Sequence, residues 1–429
     1  MIPVVDANAM SMDDLAGVFL SAPEGLETCV WAVWDLLAAA LSRLSPVRRV
    51  EIDRRLALLE FASEQLVRPA AALWDEFSGV FRTKSGRFVR LHCNAPHHRA
   101  AALKLIFGGS DSSVSKEQLQ QRLLEWDAFE LERRARDCGA VVAACRTTEE
   151  WEKTDTARQI ATAPLIEFVA ASTPPIARSA CGSTSTTKPL AGIKVVDLTR
   201  VLAGPICCRL LAQYGATVTR VFSSACQDPD VLLRDTARGK RSVELDLKSA
   251  AGLASLKQLL AESDVLVSAF RPGVLEALGL GSDSQIAAEF PRLIVARLSA
   301  FGHADGRRGF DSIVQSASGM NMAHGGAVPR PLPFQLLDHA TGVLLASAIV
   351  NAVACAPGAT RIARCSLAAT ARWWRQNFEG RRDVHSPFPR RPGAATRSIA
   401  DVITTNDDAL EPHPDRDGVF VVKHCVVLL

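Results

Sequence analysis

The sequence lacks the charge and cysteine patterns that mark several classes of protein. Its 49 Lys and Arg residues nearly balance its 46 Asp and Glu residues, which leaves a formal net charge of only +3. This balance gives no support to a nucleic-acid-binding or membrane-surface role. The 11 cysteines are scattered and include no CxxC pair. We therefore predict no disulfide framework, no zinc site and a reducing compartment.

Long hydrophobic runs are also scarce. The longest apolar stretch, residues 343–356, is interrupted by Ser347 and Asn351, and it is too short and too mixed to predict a membrane span. The first residues, Met1-Ile-Pro-Val-Val-Asp6, lack the basic and apolar segments of a signal peptide. The absence of these features predicts a cytoplasmic protein.

The chain of 429 residues is long enough for two or three domains. Residues 172–189 are rich in Ser, Thr, Gly and Pro and predict a flexible linker, because such residues bury little apolar surface. The predicted divisions are a first half over 1–171, this linker, a second half over 190–372, and a divergent tail over 373–429 whose composition is compatible with disorder. In the first half we predict a β-hairpin at 81–91 and helices at 27–43, 53–67, 98–107 and 116–137.

The second half alternates between strand-like and helix-like segments. A buried-strand pattern at 193–198 leads to a helix with Pro205 in its first turn, a position that suits proline. Further strands are predicted at 216–222, 241–247, 264–268 and 292–298. Strands and helices that alternate at this spacing predict an α/β fold with a doubly wound parallel sheet.

A faint internal repeat connects the two halves. An Ala- and Leu-rich helix leads to the segment from Val50 to Asp53, and an apolar helix leads to the segment from Ile362 to Ser366. Both patterns predict a helix, a short strand and a second helix, with Asp53 and Ser366 in equivalent places. We interpret the pattern as a duplication, with chance similarity as the alternative.

The segment from Asp197 to Pro205 is the first candidate binding site. Ala203 and Gly204 are small, so a ligand can approach the backbone, and the following helix offers free N–H groups to a phosphate or another anion. The segment contains no GxGxxG motif, so it does not favour a dinucleotide. An ordinary strand-to-helix turn that binds nothing is the alternative.

Basic residues of the second half are the second candidate. Arg238, Lys240, Arg241, Lys248 and Arg271 lie near the predicted strands, where a polyphosphate ligand would need positive charge. The same residues would also suit a solvated surface, and the pattern alone does not decide between the two.

Asp338 is the candidate for covalent chemistry. It precedes the apolar run that begins at Val343, where an aspartate can cap a helix. It can also attack a thioester as a nucleophile, with helix N–H groups stabilising the oxyanion. Gly342 would let a substrate carbonyl come close.

The densest histidine group predicts no metal site. His92, His97 and His98 lie near Cys93, but no second set of ligands at regular spacing accompanies them.

Together and in this order, these segments resemble the CaiB/BaiF class III CoA-transferase family. The resemblance runs through eight short motifs of the second half and ends in Leu337-Asp-His-Ala-Thr-Gly342. The motifs lie at residues 189–205, 211–218, 238–248, 264–273, 290–294, 299–302, 310–319 and 337–342.

The resemblance implies an activity and the residues that carry it. Asp338 matches the catalytic aspartate of the family, which forms an acyl anhydride and then an aspartyl-CoA thioester. The implied partners are acyl-CoA and carboxylic acid substrates, with no separate cofactor. Family members form interlocked dimers, so a homodimer is expected. The positions that match CoA contacts of the family are Leu202, Ala203, Leu245, Lys248, Phe270 and Arg271.

The chain departs from the family pattern at three places. The strand after the first helix ends in Val221-Phe-Ser-Ser224, where the family usually has Val-Glu and a basic residue. The common Asn before Phe270 is Ala269, and the racemase branch has a His where this chain has Phe310. Because racemisation needs two proton-transferring groups, we do not expect a racemase.

The first half resembles the family more distantly. Residues 77–91 resemble the hairpin of the family's smaller domain, and aligning Asp53 with Ser366 without gaps places Gly25 opposite Asp338. We therefore interpret the first half as a degenerate, non-catalytic partial copy of a Rossmann-like CoA-transferase domain. The main hypothesis is transfer of CoA between carboxylic acids. The alternatives are a catalytically inactive scaffold and a thioester hydrolase.

Overall fold

A computed structural model gives the fold of most of the chain. It describes residues 25–44, 50–67, 72–109, 114–170, 185, 187–354, 362–380, 410–412, 420–422 and 425–428. Most of the predicted linker at 172–189 and most of the predicted tail after residue 380 lie outside the described residues.

The described strands fall into four sheets. The strands are β1 (Val50–Ile52), β2 (Gly79–Arg82), β3 (Phe88–Leu91), β4 (Val142–Ala144), β5 (Ile166–Val169), β6 (Lys194–Leu198), β7 (Thr217–Phe222), β8 (Lys240–Glu244), β9 (Val265–Ser268), β10 (Ile294–Ser299), β11 (Ile362–Ser366), β12 (Leu410–Pro412), β13 (Phe420–Val422) and β14 (Val426–Leu428).

The described helices lie between these strands in both halves. They are α1 (Leu26–Leu41), α2 (Arg54–Glu60), α3 (Ser63–Leu66), α4 (Pro96–Phe107), α5 (Lys116–Leu123), α6 (Ala128–Cys138), α7 (Thr148–Glu152), α8 (Asp155–Thr162), α9 (Ala203–Gln213), α10 (Asp230–Thr236), α11 (Ala250–Ala261), α12 (Val274–Ala277), α13 (Asp283–Glu289), α14 (Asp311–Ala317), α15 (Met320–Gly325), α16 (Leu336–Ala354) and α17 (Leu367–Asn377).

Strands β5 to β11 form one seven-stranded sheet in the order β5-β11-β10-β9-β6-β7-β8. Neighbouring strands pair in parallel, except that the edge strand β5 runs antiparallel to β11. The chain winds outward from β6 to β8 and then returns to β9 on the other side of β6. The strand order therefore reverses between β6 and β9, and the predicted α/β fold with a mostly parallel sheet is confirmed.

Two segments that we predict as single helices are each broken in two. Residues 53–67 contain α2 and α3, and residues 116–137 contain α5 and most of α6. The second break has a local cause. Asp127 Oδ1 accepts hydrogen bonds from the N–H groups of Phe129 and Glu130, at 2.9 and 3.0 Å, and this capping starts a new helix.

The two halves share one hydrophobic core. Helix α1 packs along α16, and the buried side chains of both helices, such as Trp34 and Leu345, belong to one cluster. Strand β5 comes from the first half, yet it forms the edge of the sheet of the second half. The described part of residues 1–171 is therefore not packed as a separate domain. Helix α17 also runs across the predicted boundary at residue 373.

Strands β2, β3 and β4 form a separate antiparallel sheet with its own core. This sheet contains the predicted hairpin, in whose turn Ser85 adopts a positive φ of 65°. We call the described residues between 72 and 145 the small unit. It contacts the second half where β3 and β4 meet α14.

Helix α16 is long and apolar enough to cross a membrane by length and composition. The prediction that this region is too short for a span considered only residues 343–356, whereas the helix begins at Leu336. In the described structure, 89% of its apolar window is buried inside the protein, which is the environment of a core helix.

A buried ion network joins the first half to the second. Arg209 on α9 donates a hydrogen bond to Glu60 on α2 at 2.7 Å and lies 3.5 Å from Asp235. Asp235 also accepts hydrogen bonds from Arg238 and Ser63, both at 2.8 Å. Burial alone would lower the pKa of Arg209, but Asp235 and Glu60 raise it overall. The guanidinium therefore stays charged and holds two buried carboxylates together.

The predicted repeat has matching element boundaries in the structure. With Asp53 aligned to Ser366, the equivalent residues Leu41 and Ala354 both lie in helices, α1 and α16. Helices α2 and α17 also begin at equivalent residues, directly after Asp53 and Ser366. The strands differ in their pairing, because β11 lies in the seven-stranded sheet and β1 pairs with β14.

The same two residues cap the helices that follow them. Asp53 Oδ1 accepts the N–H of Leu56 at 3.0 Å, and Ser366 Oγ accepts the N–H of Ala369 at 3.2 Å. Leu56 and Ala369 are themselves equivalent in this alignment. The correspondence therefore extends from sequence pattern to capping geometry.

Gly342 allows α16 to approach α9 closely. A Cβ atom at Gly342 would lie 2.6 Å from the carbonyl oxygen of Ala203 and 3.1 Å from Ile206 Cγ2. We expect Gly342→Ala to lower the free energy of unfolding by about 1–3 kcal/mol, because the two helices must separate. Urea denaturation measures this change. Gly109→Ala is the control, since a Cβ atom there would meet nothing within 4 Å, and equal losses for both variants would contradict the prediction.

Candidate active site

The six predicted CoA-contacting residues lie at one edge of the sheet. Leu202 and Ala203 follow β6, Leu245 and Lys248 follow β8, and Phe270 and Arg271 follow β9. The carboxyl ends of parallel strands meet at the same edge, and four of these residues flank the reversal between β6 and β9. Ligands of doubly wound sheets bind at such reversals. Leu202 and Ala203 are buried, whereas Lys248 and Arg271 are exposed.

Hydrogen bonds to a buried aspartate fix the turn between β6 and α9. Buried Asp197 accepts hydrogen bonds from Lys240 Nζ and from the N–H of Thr199, both at 2.9 Å. A Cβ atom at Gly204 would lie 2.4 Å from Thr199 Cβ. The expectation that Gly204 leaves room for a ligand is therefore wrong, because Thr199 fills that space.

Val201 gives this turn a strained backbone. Its φ of 69° lies in the left-handed region, which a β-branched residue rarely adopts. Strain of this kind persists where the surrounding structure enforces it, and it is frequent at binding and catalytic sites. The strained backbone at Val201 therefore marks this turn as a candidate functional element.

Two of the predicted phosphate ligands point into the protein. The Lys240 side chain is fully buried, and its Nζ also donates to the carbonyl oxygen of Pro205 at 2.9 Å. Arg238 is buried against Asp235. The interpretation of the segment at 238–241 as a set of ligands is therefore wrong for these two residues.

Asp338 is the third residue of α16 and does not cap it. The helix begins at Leu336, and Asp311 Oδ2 accepts the N–H of Leu337 at 2.7 Å and that of Asp338 at 3.0 Å. Asp311 therefore caps the helix from α14. The predicted capping role of Asp338 is wrong, and these two N–H groups are not free to stabilise an oxyanion.

The carboxyl group of Asp338 lies in a nearly closed, acidic environment. The residue is 8% exposed, and its carboxyl group makes no hydrogen bond with the described residues. Burial and the charges of Asp311 and Glu64 raise its pKa well above the ordinary value. Burial likewise raises the pKa of Asp311 to about 7. The carboxyl group of Asp338 is thus not held by any structural hydrogen bond in the described structure.

Helix packing brings Asp338 toward the turn after β6. Gly342 follows Asp338 by one helical turn and lies on the same face of α16. At Gly342, this face of α16 lies directly against the carbonyl oxygen of Ala203. The predicted role of Gly342 in admitting a substrate carbonyl is wrong, because Ala203 already occupies the space.

The first half contributes side chains beside Asp338 that sequence reasoning missed. His339 Nε2 and Glu64 Oε2 lie 2.8 Å apart, and both residues are buried. The ring of Phe61 stacks on that of His339 with centroids 5.3 Å apart. These residues belong to opposite halves of the chain and form no local motif, so no sequence signal could have found them.

Arg308 is a second cation at this edge that sequence reasoning missed. Arg271 and Arg308 line a cavity of about 190 Å³, and Arg271 donates a hydrogen bond to the carbonyl oxygen of Gly306 at 3.1 Å. Burial and the charge of Arg308 lower the pKa of Arg271. Arg308 itself makes no ion pair or hydrogen bond within the described ranges. Two neighbouring cations, one of them unpaired, suit a phosphate-bearing ligand.

The combination of a doubly wound sheet, a buried carboxyl group and cations at the carboxyl edge agrees with the sequence match. The family model for CoA-transferase family III matches residues 190–410, just over half of the chain. The chain therefore belongs to CoA-transferase family III.

Several curated proteins are similar to this chain. A probable fatty acyl-CoA transferase of Mycobacterium tuberculosis is 37% identical over 185 residues, which is 39% of this chain and 46% of that protein. The acetyl-coenzyme A transferase nodX of Hypoxylon pulicicidum is 30% identical over 301 residues, 64% of this chain and 50% of that protein. The chain thus spans about half the length of these relatives.

Solved structures are also similar in part. The crystal structure of Rv3272 from M. tuberculosis is 32% identical, with a TM-score of 0.40, and the match covers 44% of this chain and 57% of that one. A CaiB/BaiF family protein from Brucella suis is 25% identical, with a TM-score of 0.38, over 44% of this chain and 56% of that one.

Proposed function

We propose that the protein transfers coenzyme A between carboxylic acids, with Asp338 as the nucleophile. The observation that carries the proposal is the buried Asp338 carboxyl group, free of structural hydrogen bonds and packed toward the strained turn after β6. A nucleophilic carboxylate must be available for attack and close to its substrate. The family membership of the chain supports the same assignment.

The reaction would proceed through two kinds of covalent intermediate on Asp338. The carboxylate attacks the thioester carbonyl, the C–S bond breaks, and an acyl-aspartyl anhydride forms as the CoA thiolate leaves. The thiolate then attacks the aspartyl carbonyl, which gives an aspartyl-CoA thioester and releases the donor acid. The acceptor acid reverses both steps and leaves as its CoA thioester, with Asp338 regenerated.

Intact-protein mass spectrometry tests this proposal. The protein is incubated with a panel of acyl-CoA thioesters and examined for a mass increase on Asp338. A catalytically inactive scaffold is the second candidate, because Asp338 is only 8% exposed and Phe222 and Ala269 depart from the family's CoA-binding pattern. Absence of an adduct with every thioester would favour the scaffold.

We further propose that the described part of residues 1–171 derives from a degenerate copy of the Rossmann-like domain at 190–372. The matched starts of α2 and α17 and the shared caps at Asp53 and Ser366 support a duplication. The strand order from β8 to β11, with its reversal between β6 and β9, resembles that of Rossmann sheets and supports this description. Assembly as a homodimer and a cytoplasmic location stay predictions.

CoA would lie across the carboxyl ends of β6, β8 and β9, with its phosphates near Arg271, Arg308 and Lys248. We expect Arg271→Glu to weaken CoA binding by about 1–3 kcal/mol, the range for a lost charged hydrogen bond. Isothermal titration calorimetry measures the change, which should shrink at high salt because the side chain is exposed. The control is Lys104→Glu, an exposed lysine on α4. Equal affinities of the two variants for CoA would rule out this CoA position.

A further inference from the structure

A group of aromatic and basic side chains of the small unit lies against the second half, next to Asp311. The ring of His92 stacks on Phe310 with centroids 3.8 Å apart and planes 3° apart. Trp74 and His98 meet the ring of His92 edge-on, at 6.0 and 6.5 Å. The guanidinium carbon of Arg90 lies 4.9 Å from the centroid of the Trp74 ring. The covalent steps on Asp338 give these side chains no role.

Arg90 is a buried cation without a counter-charge in contact. The residue is 8% exposed, and its Nε has no hydrogen-bond partner. Within the described part of the chain its guanidinium forms no ion pair or hydrogen bond, and it lies over the Trp74 ring. Burial lowers its pKa to about 10, so the group is still charged at neutral pH. An isolated buried charge is unfavourable, and an anionic ligand would neutralise it.

Two neutral imidazoles accompany this cation. His92 Nδ1 and His98 Nδ1 are also buried without hydrogen-bond partners. Burial lowers the pKa of His92 to about 3 and that of His98 to about 4, and a neutral imidazole keeps one N–H donor. One guanidinium and the imidazole N–H donors match the charge and the hydrogen-bond acceptors of a carboxylate.

This group lies close to the nucleophile. His92 stacks on Phe310, the residue before Asp311, and Asp311 Oδ2 is 3.0 Å from the backbone nitrogen of Asp338. The oxygens of Asp311 already accept hydrogen bonds from Leu337, Asp338 and Gln315. Asp311 therefore has its own partners and does not satisfy the donors of Arg90.

We propose that Arg90, assisted by His92 and His98, binds the second carboxylate of a dicarboxylic substrate whose first carboxyl group reacts at Asp338. The inference rests on the proposed CoA transfer and narrows its substrate class to dicarboxylic acids and their mono-CoA thioesters. A monocarboxylic acid of the same length would leave the Arg90 charge buried and unpaired. The small unit would thus select the acid, and the carboxyl edge of the large sheet would bind CoA.

Binding is tested first, without any turnover. Dicarboxylates from oxalate to adipate are each compared with the monocarboxylate of the same chain length, by their effect on the melting temperature. At least one dicarboxylate should raise the melting temperature of the wild type and of Asp338→Asn, and its monocarboxylate should not. The shift should vanish in Arg90→Met and return in part in Arg90→Lys.

Reaction is tested with succinyl-CoA and butyryl-CoA, using adduct formation on Asp338 as the readout. The wild type should react at least about 10-fold faster with succinyl-CoA, the usual effect of one charged hydrogen bond. Arg90→Met should lose this preference and keep its rate with butyryl-CoA. Because Arg90 has no counter-charge in contact and methionine can still pack on the Trp74 ring, Arg90→Met should also melt no earlier than the wild type.

The outcomes separate the two proposals. Equal melting shifts with dicarboxylates and monocarboxylates would overturn the inference, as would early melting of Arg90→Met with equal loss of both reactions, which is the pattern of a structural residue. A dicarboxylate-specific shift without any covalent adduct would support the inference and contradict the proposed transfer.

Discussion

Replacing Asp338 with asparagine is expected to abolish CoA transfer and to leave the fold at least as stable as the wild type. Loss of a covalent nucleophile should lower kcat by a factor on the order of 10⁴ or more. The fold should tolerate the change, because the carboxyl group has no hydrogen bond in the described structure and is repelled by Asp311 and Glu64. A transfer assay and thermal melting measure the two effects.

The stability gain should depend on pH in a defined direction. Burial and the neighbouring carboxylates raise the pKa of Asp338 in the folded state, so its charged form is disfavoured there. At a pH below the ordinary aspartate value of about 4, wild type and variant should be equally stable. As the pH rises toward the raised pKa, Asp338 ionises in the unfolded wild type and stays protonated in the folded wild type, so the wild type loses stability and the advantage of the variant should grow.

The control variant is Asp283→Asn, for which we expect the reverse of Asp338→Asn: a loss of stability with activity retained. Asp283 accepts a hydrogen bond from Arg364 at 2.9 Å and lies 3.5 Å from Arg297, and it has no proposed role in binding or chemistry. This variant should lose stability and keep its activity. Substantial turnover by Asp338→Asn, or its early melting, would remove Asp338 from the mechanism.

Replacing Arg209 with methionine is expected to lower the free energy of unfolding by about 3–5 kcal/mol, the range for one partner of a buried ion pair. Arg209 and its two carboxylate partners are all at most 2% exposed. Without the guanidinium, Glu60 keeps a buried charge and Asp235 retains only Arg238 and Ser63. Urea denaturation followed by circular dichroism measures the loss.

A double variant distinguishes the effect of an unpaired buried charge on stability from the effect of lost side-chain packing. Arg209→Met combined with Glu60→Met removes both charges, and it should recover much of the lost stability because apolar residues can replace a buried pair. Arg133→Met is the exposed control and should leave the midpoint unchanged. A loss below about 1 kcal/mol for Arg209→Met, the range of exposed pairs, would mean that the network does not hold the halves together.

The repeating elements of the fold were predictable because their signals are local. Strands β6 to β10 were predicted within about three residues, since buried parallel strands leave short apolar runs between helices. The antiparallel edge strand β5 was not predicted. The hairpin at 81–91 was predicted from its turn residues. Even the break at Asp127 had a readable signal, an aspartate at a helix start. These features depend on residues near each other in the chain.

The chemistry of the candidate site was less predictable because it depends on contacts between distant segments. Lys240 and Lys248 look alike in sequence, yet one is buried against Asp197 and the other is exposed. The cap of α16 comes from Asp311, so the pattern around Asp338 suggested the wrong capping residue. No local pattern indicates that Arg90 lacks a partner, because that follows from the packing of the small unit against Phe310.

Gly25 bears on whether the first half could ever regain a nucleophile. On the proposed duplication it occupies the place of Asp338, and its φ of 89° is one that aspartate adopts only under strain. A Cβ atom there would lie 1.8 Å from the carbonyl oxygen of Phe378. A reversion from glycine to aspartate would therefore collide with the main chain at Phe378, directly after α17. On the proposed duplication, a single substitution at Gly25 could not restore a second reactive carboxyl group, because both segments would have to move together.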